Sequence, residues 1–314
     1  MQTLTIKEND SGQRLDKFLS KTFRNLPVSL MYKLIRKKHI KVNSNRVHPE
    51  YKLNINDTLS LYIKDDLLEK KTLSYDFTKA PAILDIIYED NNILLVNKKS
   101  GLIVHPDKER HFDSLIDRIK HYLFLKKEYD PEDEQSFSPA LVNRLDRNTG
   151  GIVIAAKNSE SLKILNEKIR NREIKKYYLA VSKGIFKQKC ATLLAYLEKN
   201  ECENRVYVYN TKRPNTKTIK TKYRVIKEKD GESLVEIELI TGRTHQIRAH
   251  MAHVGHPILG DAKYAIPNKK DKLKYKHQVL WAYKLEFVFE KKINSCLLDY
   301  LNKKKFECST NIKF

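Results

Sequence analysis

The chain has 314 residues, and its 61 Lys and Arg against 39 Asp and Glu give a formal net charge of +22. With 40% apolar residues it can form a packed core, which excludes disorder as the main state, and its length predicts about two domains. The charge excess favours a polyanionic partner over a merely solvated basic surface, and nucleic acid is the commonest such partner.

The cysteines and the apolar runs exclude several other classes of protein. No two of the four cysteines have Cys-x-x-Cys spacing, so the sequence gives no zinc ribbon, and scattered thiols fit a reducing compartment. No apolar run has the length of a signal peptide core or of a membrane span. We therefore predict a soluble, cytoplasmic protein without a membrane partner.

The first predicted unit spans residues 12–63. Two helical patterns, RLDKFLSKTF and SLMYKLIRKKH, precede the segments HIKVN and RVH, which are typical of a short hairpin, and the strand-like DTLSLYI. Four cations fall within six residues after the second helix, more than compensation of a helix dipole needs. They predict an RNA-facing patch that consists of Arg36, Lys37, Lys38 and Lys41.

Beyond this unit, residues 64–82 are charged and lack periodicity, which predicts a flexible linker. Strand and helix patterns then alternate: ILDIIYED and NILLVNKKSG favour strands, and DSLIDRIKHYLFLKK favours a helix. The loop DPEDEQ is predicted to be solvated. NSESLKILNEKIRN favours a capped helix, KKYYLAVSKGIF a strand, and SLVEIELITG a half-exposed strand.

The stretch NRLDRNTGG, residues 143–151, places one carboxylate, Asp146, between two arginines and ends on paired glycines. Glycine permits a tight turn, and neighbouring cations favour the ionised carboxylate that a nucleophile or a permanently charged base requires. Taken alone, the pattern better suits an aspartate that caps a turn, with its arginines solvated, because Asp is common in turns.

Two further motifs follow. In IKKYYLAVSKG, Tyr177 and Tyr178 project to opposite faces of a strand, so one of them can face a cleft, although both also suit ordinary strand aromatics. TGRTHQIRAHMAHVGHPILGD, residues 241–261, contains four close histidines but no His-Glu-x-x-His signature, which makes a metallohydrolase the weaker interpretation. We expect Arg243 and His245 to contact RNA, and Arg248 is a further anion partner.

In this order the three motifs strongly resemble the RluA-type pseudouridine synthase family, and NKKSGLIVHPD resembles the stretch that precedes them there. The N-terminal unit resembles the S-four-like RNA-binding domain of the RluC-like branch. The resemblance implies an α+β protein with a small N-terminal α/β RNA-binding domain (12–63), a linker (64–82), a mainly antiparallel, mixed-sheet catalytic domain (83–291) and a C-terminal tail (292–314).

The resemblance also implies the isomerisation of uridine in RNA without a metal or redox cofactor. Asp146 matches the catalytic aspartate, Arg248 its ion-pair partner, and Tyr178 the ring that packs on the target base. Arg144 matches the side chain that replaces the flipped base, because a stacked uridine must leave the RNA helix to reach a buried carboxylate. The branch favours large-subunit ribosomal RNA, free or in a ribosomal particle, over transfer RNA, and a monomer.

Three positions depart from the family pattern: Asn143 stands where His is usual, Gly150 where Ser is usual, and Lys99 where Pro is common. The first two lie beside the predicted catalytic loop, so they bear on its rigidity and on target choice. A catalytically silent RNA-binding or ribosome-assembly factor is the main alternative. The set of Asp146, Tyr178 and Arg248 argues against it, because binding to phosphates alone needs no carboxylate.

Overall fold

Five α-helices and fourteen strands occur in residues 1–23, 25–69, 75–106, 113–265, 275–290 and 296–314, which the computed structural model describes. The helices are α1 Leu15–Thr22, α2 Val28–Arg36, α3 Leu115–Leu125, α4 Ser159–Arg170 and α5 Gln246–His253. The strands are β1 Gln2–Thr5, β2 Ile40–Val42, β3 Thr58–Leu61, β4 Ile86–Glu89, β5 Ile93–Lys98, β6 Ala140–Leu141, β7 Gly150–Ala156, β8 Ile174–Lys183, β9 Cys190–Asn200, β10 Arg205–Tyr209, β11 Lys217–Lys229, β12 Glu232–Leu239, β13 Leu280–Phe287 and β14 Lys305–Glu307. None of the described helices is long and apolar enough to cross a membrane.

The N-terminal module packs α1 and α2 on a small antiparallel sheet of order β1-β3-β2. The sequence predicted that HIKVN forms a hairpin with RVH, and this prediction is wrong. The strand in HIKVN, β2, pairs with β3, with Val42 opposite Leu59, and RVH forms no strand. Arg46 and His48 are exposed and Val47 is only partly buried against the core, whereas Leu59 and Leu61 of β3 are fully buried. Because β1 also pairs with β3, the sheet begins before residue 12.

The rest of the described chain is organised around one large mixed sheet of order β10-β9-β11-β12-β8-β13-β7-β5-β4. The pair β7 and β13 is parallel and the other pairs along this path are antiparallel, so the predicted α+β class and mainly antiparallel sheet are confirmed. Every residue of β7 is buried, which is why GGIVIAA shows no alternation: α3 and α5 cover one face of the sheet and α4 the other.

The predicted tail and linker both contribute to these cores. Leu298 and Leu301 are fully buried among the residues that α4 covers, and β14 extends the sheet beside β13. In the second half of the predicted linker, Phe77 packs against Phe124 and Tyr129, with ring centroids 5.9 Å apart in both pairs. Residues 70–74 of that segment lie outside the described residues. Parts of both segments are therefore packed elements of the fold.

The acidic loop DPEDEQ joins the N-terminal module to the larger sheet domain. The prediction that it is solvated holds for the exposed Glu132 and Asp133 and is wrong for the rest of the loop, which is partly or fully buried. The Asn9 side-chain amide donates to Glu134 Oε1 at 2.6 Å, and Gln135 Nε2 donates to the Thr5 carbonyl at 2.9 Å. Pro131 is buried. Partners from the first residues of the chain, which the loop sequence cannot reveal, thus bond to the Glu134 carboxylate and to the Gln135 amide nitrogen.

Candidate active site

Asp146 lies on the loop between β6 and β7, and the start of this loop is attached to β7 by Asn143. The Asn143 amide donates to the Ile152 carbonyl at 3.1 Å and accepts from the Ile154 N–H at 2.8 Å, as a neighbouring strand would. The Thr149 N–H donates to the Asp146 carbonyl at 3.0 Å, which closes the turn. The residue that departs from the family pattern at this position thus holds the loop through both of its amide groups.

The two glycines at the end of the loop are required by the neighbouring strand β13. Gly150 lies opposite Trp281 and Gly151 opposite Ala282 in the parallel pair of strands. A Cβ on Gly150 would overlap the Trp281 ring, and Gly151 has a φ of 117°, which disfavours other residues. The serine usual in the family would therefore force the Trp281 ring out of its position, which gives the departure a steric reason.

A buried lysine attaches the loop of Asp146 to the end of β5. Lys98 Nζ donates to the carbonyl oxygens of Lys99, Leu102 and Arg147 at 3.1, 2.7 and 3.0 Å. Burial lowers the pKa of Lys98 to about 7, against the attraction of the Asp146 charge. This side chain therefore links the NKKSG turn to the residue that follows Asp146.

Replacing Lys98 by methionine is expected to lower the free energy of unfolding by about 2 kcal/mol, because three carbonyl groups lose the Lys98 donor while the side-chain volume is nearly kept. Urea denaturation of both proteins measures this change. The control is Lys99→Met at the next position, where the side chain is exposed and little change is expected. A Lys98→Met variant as stable as the native chain would contradict this role.

Arg248, on α5, is the cation paired with Asp146. Its Nη1 donates to Asp146 Oδ2 at 2.8 Å, while Nε and Nη2 donate to the two oxygens of Asp261 at 2.7 and 2.9 Å. Asp261 is completely buried. Burial opposes the charge of Arg248, but the hydrogen bonds and charge of Asp261, followed by those of Asp146, raise its pKa above the ordinary value. The guanidinium is thus permanently charged, and its Nη1–H points at Asp146.

Tyr178 lies in the middle of β8, between Ile237 of β12 and Ala282 of β13. Its side chain is buried, and burial, with a smaller contribution from the Asp146 charge, raises the pKa of Tyr178 above its ordinary range. The hydroxyl therefore stays protonated at neutral pH. Tyr177 faces the other side of the sheet and donates to Glu286 at 3.2 Å, as the strand periodicity predicts.

The four histidines of the third motif do not converge. His245 has its Nε2 3.9 Å from Asp146 Oδ2, whereas His250 Nδ1 lies 2.9 Å from the Thr221 hydroxyl. His253 bonds to Asn210 and His256 stacks on Phe186. Among the described residues, no three His, Cys, Asp or Glu side chains are close enough to hold a metal ion. The geometry therefore brings only His245 to the carboxylate.

The predicted RNA-contacting cations lie in two places. Arg144 and Arg243 are exposed on the segments that carry Asp146 and Arg248, and Arg144 has no hydrogen bond or ion pair with any described residue. The other cluster lies at the end of α2 and on β2 of the N-terminal module, where Lys41 Nζ is 5.5 Å from the centre of the Tyr62 ring. The exposed members of that cluster are Arg36, Lys37 and Lys38.

Sequence reasoning assigned no role to three residues of this site: Lys98, Asp261 and Tyr264. Asp261 stands in the quoted stretch PILGD, but an acid 13 residues after Arg248 has no helical or strand spacing to it. Tyr264 bonds to His245, with its hydroxyl 2.9 Å from Nδ1. Such contacts depend on how the chain turns after α5, so no local pattern indicates them.

Two models of known protein families match this chain. Residues 92–253 match the family model described as RNA pseudouridylate synthase, and residues 13–59 match the S4 domain. The first match contains Asp146, Tyr178 and Arg248, and the second contains the basic cluster of the N-terminal module.

Relatives match over nearly the whole chain. An uncharacterized RNA pseudouridine synthase of Mycoplasma capricolum subsp. capricolum is 37% identical over 307 residues, which cover 97% of this chain and 96% of the relative. The ribosomal large subunit pseudouridine synthase C of Vibrio cholerae serotype O1 is 34% identical over 84% of this chain and 80% of its own length. The protein of that name from Buchnera aphidicola subsp. Baizongia pistaciae is 33% identical over 96% of this chain and 95% of its own length.

A solved structure supports the fold. Human RNA pseudouridylate synthase domain containing 4 superposes with a TM-score of 0.55 at 21% identity, and the match covers 71% of this chain and 87% of the human chain. The chain therefore belongs to the RNA pseudouridine synthase family, in the RluC-like branch that carries an N-terminal S4 domain.

Proposed function

We propose that this RNA pseudouridine synthase modifies uridines of large-subunit ribosomal RNA, with Asp146 as the catalytic carboxylate. The relatives named ribosomal large subunit pseudouridine synthase C support the choice of RNA. The observation that carries the choice of residue is the 2.8 Å bond from Arg248 Nη1 to Asp146 Oδ2, made by a guanidinium that Asp261 holds on its other side. A carboxylate fixed in this way is oriented for chemistry on a bound nucleotide.

The reaction breaks the bond between uracil N1 and the sugar, turns the base, and joins its carbon 5 to the sugar. N1 gains a proton and carbon 5 loses one, so the product is an isomer of the substrate. Asp146 Oδ1 has no hydrogen bond with any described residue, and the side chain is 27% exposed, so this oxygen can reach a nucleotide. The buried, protonated Tyr178 provides the surface on which the detached base packs.

The target uridine reaches Asp146 only after it leaves the RNA stack, which costs a few kcal/mol. Arg144 is exposed two residues before Asp146, so it can enter the space that the base vacates, stack there and bond to phosphate. In this proposal the two domains have separate roles: residues 12–63 with β1 bind RNA as one domain, and residues 83–291 hold and isomerise the uridine. In this proposal the protein acts as a monomer and needs no cofactor.

The choice of target is tested with transcripts that carry tritium at carbon 5 of uracil. Native protein is expected to release tritium from large-subunit ribosomal RNA and not from small-subunit ribosomal RNA or transfer RNA under the same conditions. Assembled large-subunit particles, labelled in the same way, distinguish free RNA from a ribosomal particle as the substrate. Release from transfer RNA alone would overturn the proposed target and leave the family assignment intact.

A further inference from the structure

His245 has a backbone conformation that aims its side chain at the catalytic carboxylate. It precedes α5 with φ 50° and ψ 17°, a left-handed conformation that is uncommon for residues other than glycine. Such conformations cost free energy and are found at functional sites. Here the conformation leaves Nε2 3.9 Å from Asp146 Oδ2, which is too long for a direct hydrogen bond. The N–H donor capacity at this nitrogen is therefore still available to a ligand.

A chain of hydrogen bonds fixes which ring nitrogen of His245 carries the proton. The Val206 N–H donates to the Tyr264 hydroxyl oxygen at 3.0 Å, and this hydroxyl lies 2.9 Å from His245 Nδ1. The phenol has one proton, and within the described part of the chain Nδ1 is the acceptor available to it. Nδ1 therefore accepts, and the neutral imidazole carries its proton on Nε2, the nitrogen that faces Asp146.

The surroundings of His245 also favour the neutral ring. Burial, then the charges of Arg248 and Lys263, lower the pKa of His245, while Asp146 and Asp261 oppose the shift. The net direction is downward from the ordinary value, so the ring is uncharged at neutral pH. Tyr264 belongs to the same turn as Asp261, which accepts the Tyr264 N–H at 3.2 Å. The turn that holds Arg248 thus also holds the phenol that orients His245.

We infer that His245 binds an oxygen of the target nucleotide beside Asp146 through a neutral Nε2–H, and that Tyr264 is the positioning residue that fixes this tautomer. The inference rests on the proposed function of Asp146, and it differs from a contact with RNA phosphate, for which a charged ring would be the better partner. A neutral donor aimed at the reacting nucleotide affects the rate of the bound complex more than its affinity.

The tautomer is tested first, without reference to activity, in protein labelled with ¹⁵N-histidine. The His245 signals are identified by their loss in His245→Gln. In the native protein at pH 7 we expect an unprotonated Nδ1 and a protonated Nε2, and in Tyr264→Phe a shift of Nδ1 away from its native position. A proton on Nδ1, or on both nitrogens, in the native protein would overturn the inference.

The role in the reaction is tested by single-turnover rates at saturating enzyme, with RNA affinity measured separately. For His245→Ala we expect the rate to fall about tenfold or more with affinity kept within about twofold, as for the loss of one hydrogen-bond donor. His245→Gln keeps an N–H donor, so its rate is expected to lie between those of His245→Ala and the native protein. The rate of Tyr264→Phe is expected to fall less than that of His245→Ala. Weakened affinity with an unchanged rate in His245→Ala would instead show a phosphate contact and overturn the inference.

Tyr207→Phe is the matched control for Tyr264→Phe. Tyr207 is an exposed tyrosine of β10 whose hydroxyl bonds to Glu203, and its replacement is expected to leave the rate and the His245 signals unchanged. Thermal unfolding of each variant reports folding. The two proposals are tested separately: an active Asp146→Ala protein would overturn the proposed function whichever tautomer the native protein shows, whereas a wrong tautomer in the native protein would leave the role of Asp146 intact.

Discussion

Asp146→Ala is expected to lower the rate of tritium release from RNA labelled at carbon 5 of uracil by at least about a thousandfold, as for the loss of a residue that performs the chemical step. RNA affinity is expected to change little, because the exposed cations of the N-terminal module and Arg144 are untouched. The measurement is a single-turnover time course with native and variant protein on the same transcript, beside a binding titration at the same salt concentration.

Asp133→Ala is the matched control for this change. Asp133 is an exposed acid of the loop at the N-terminal module, and the variant removes one negative charge without touching the site. Its rate is expected to equal that of the native chain. If the Asp146→Ala protein kept a rate within about tenfold of native, Asp146 would not carry the chemistry. If the native chain bound ribosomal and transfer RNA but released tritium from neither, the protein would be better described as a catalytically silent RNA-binding factor.

Arg248→Met is expected to lower both activity and stability. Removing the guanidinium leaves the carboxylate of Asp261 buried with no cation, and the loss of one partner of a buried ion pair costs about 3–5 kcal/mol of unfolding free energy. Asp146 loses the N–H that orients it, so the rate is expected to fall by at least about a hundredfold. Urea denaturation and the tritium assay measure the two effects.

A double variant separates these two effects. Arg248→Met with Asp261→Asn removes the unpaired buried charge, while the new amide oxygen can still accept the N–H groups of Lys263 and Tyr264. We expect it to regain most of the stability and none of the activity. Arg243→Met, an exposed change on the same segment, is the control for stability and should stay within about 0.5 kcal/mol of native. Recovery of activity in the double variant would show that Arg248 serves folding alone.

The elements that the sequence predicted well are those stabilised by short-range patterns. Asn158 caps α4 by accepting the Ser161 N–H at 2.8 Å, and the apolar stripe of that helix lies in the core. The alternation of Val235 and Ile237 with acids gives β12 one buried face. Helical spacing and strand alternation are properties of neighbours in the chain, so a single sequence contains the information for them.

The motifs and the resemblance that they carry also came from the sequence alone, and so did the choice of Asp146, Tyr178 and Arg248 as candidate site residues. The tertiary structure decided how these residues are held. Arg248 bonds to Asp146 across 102 residues of sequence, and Lys98 bonds to the Arg147 carbonyl across 49. A buried charge is tolerated only where distant segments supply its partners, and no local pattern records which segments will meet. For the same reason the acidic loop at the N-terminal module and the packing of residues 296–314 became evident only in the folded chain.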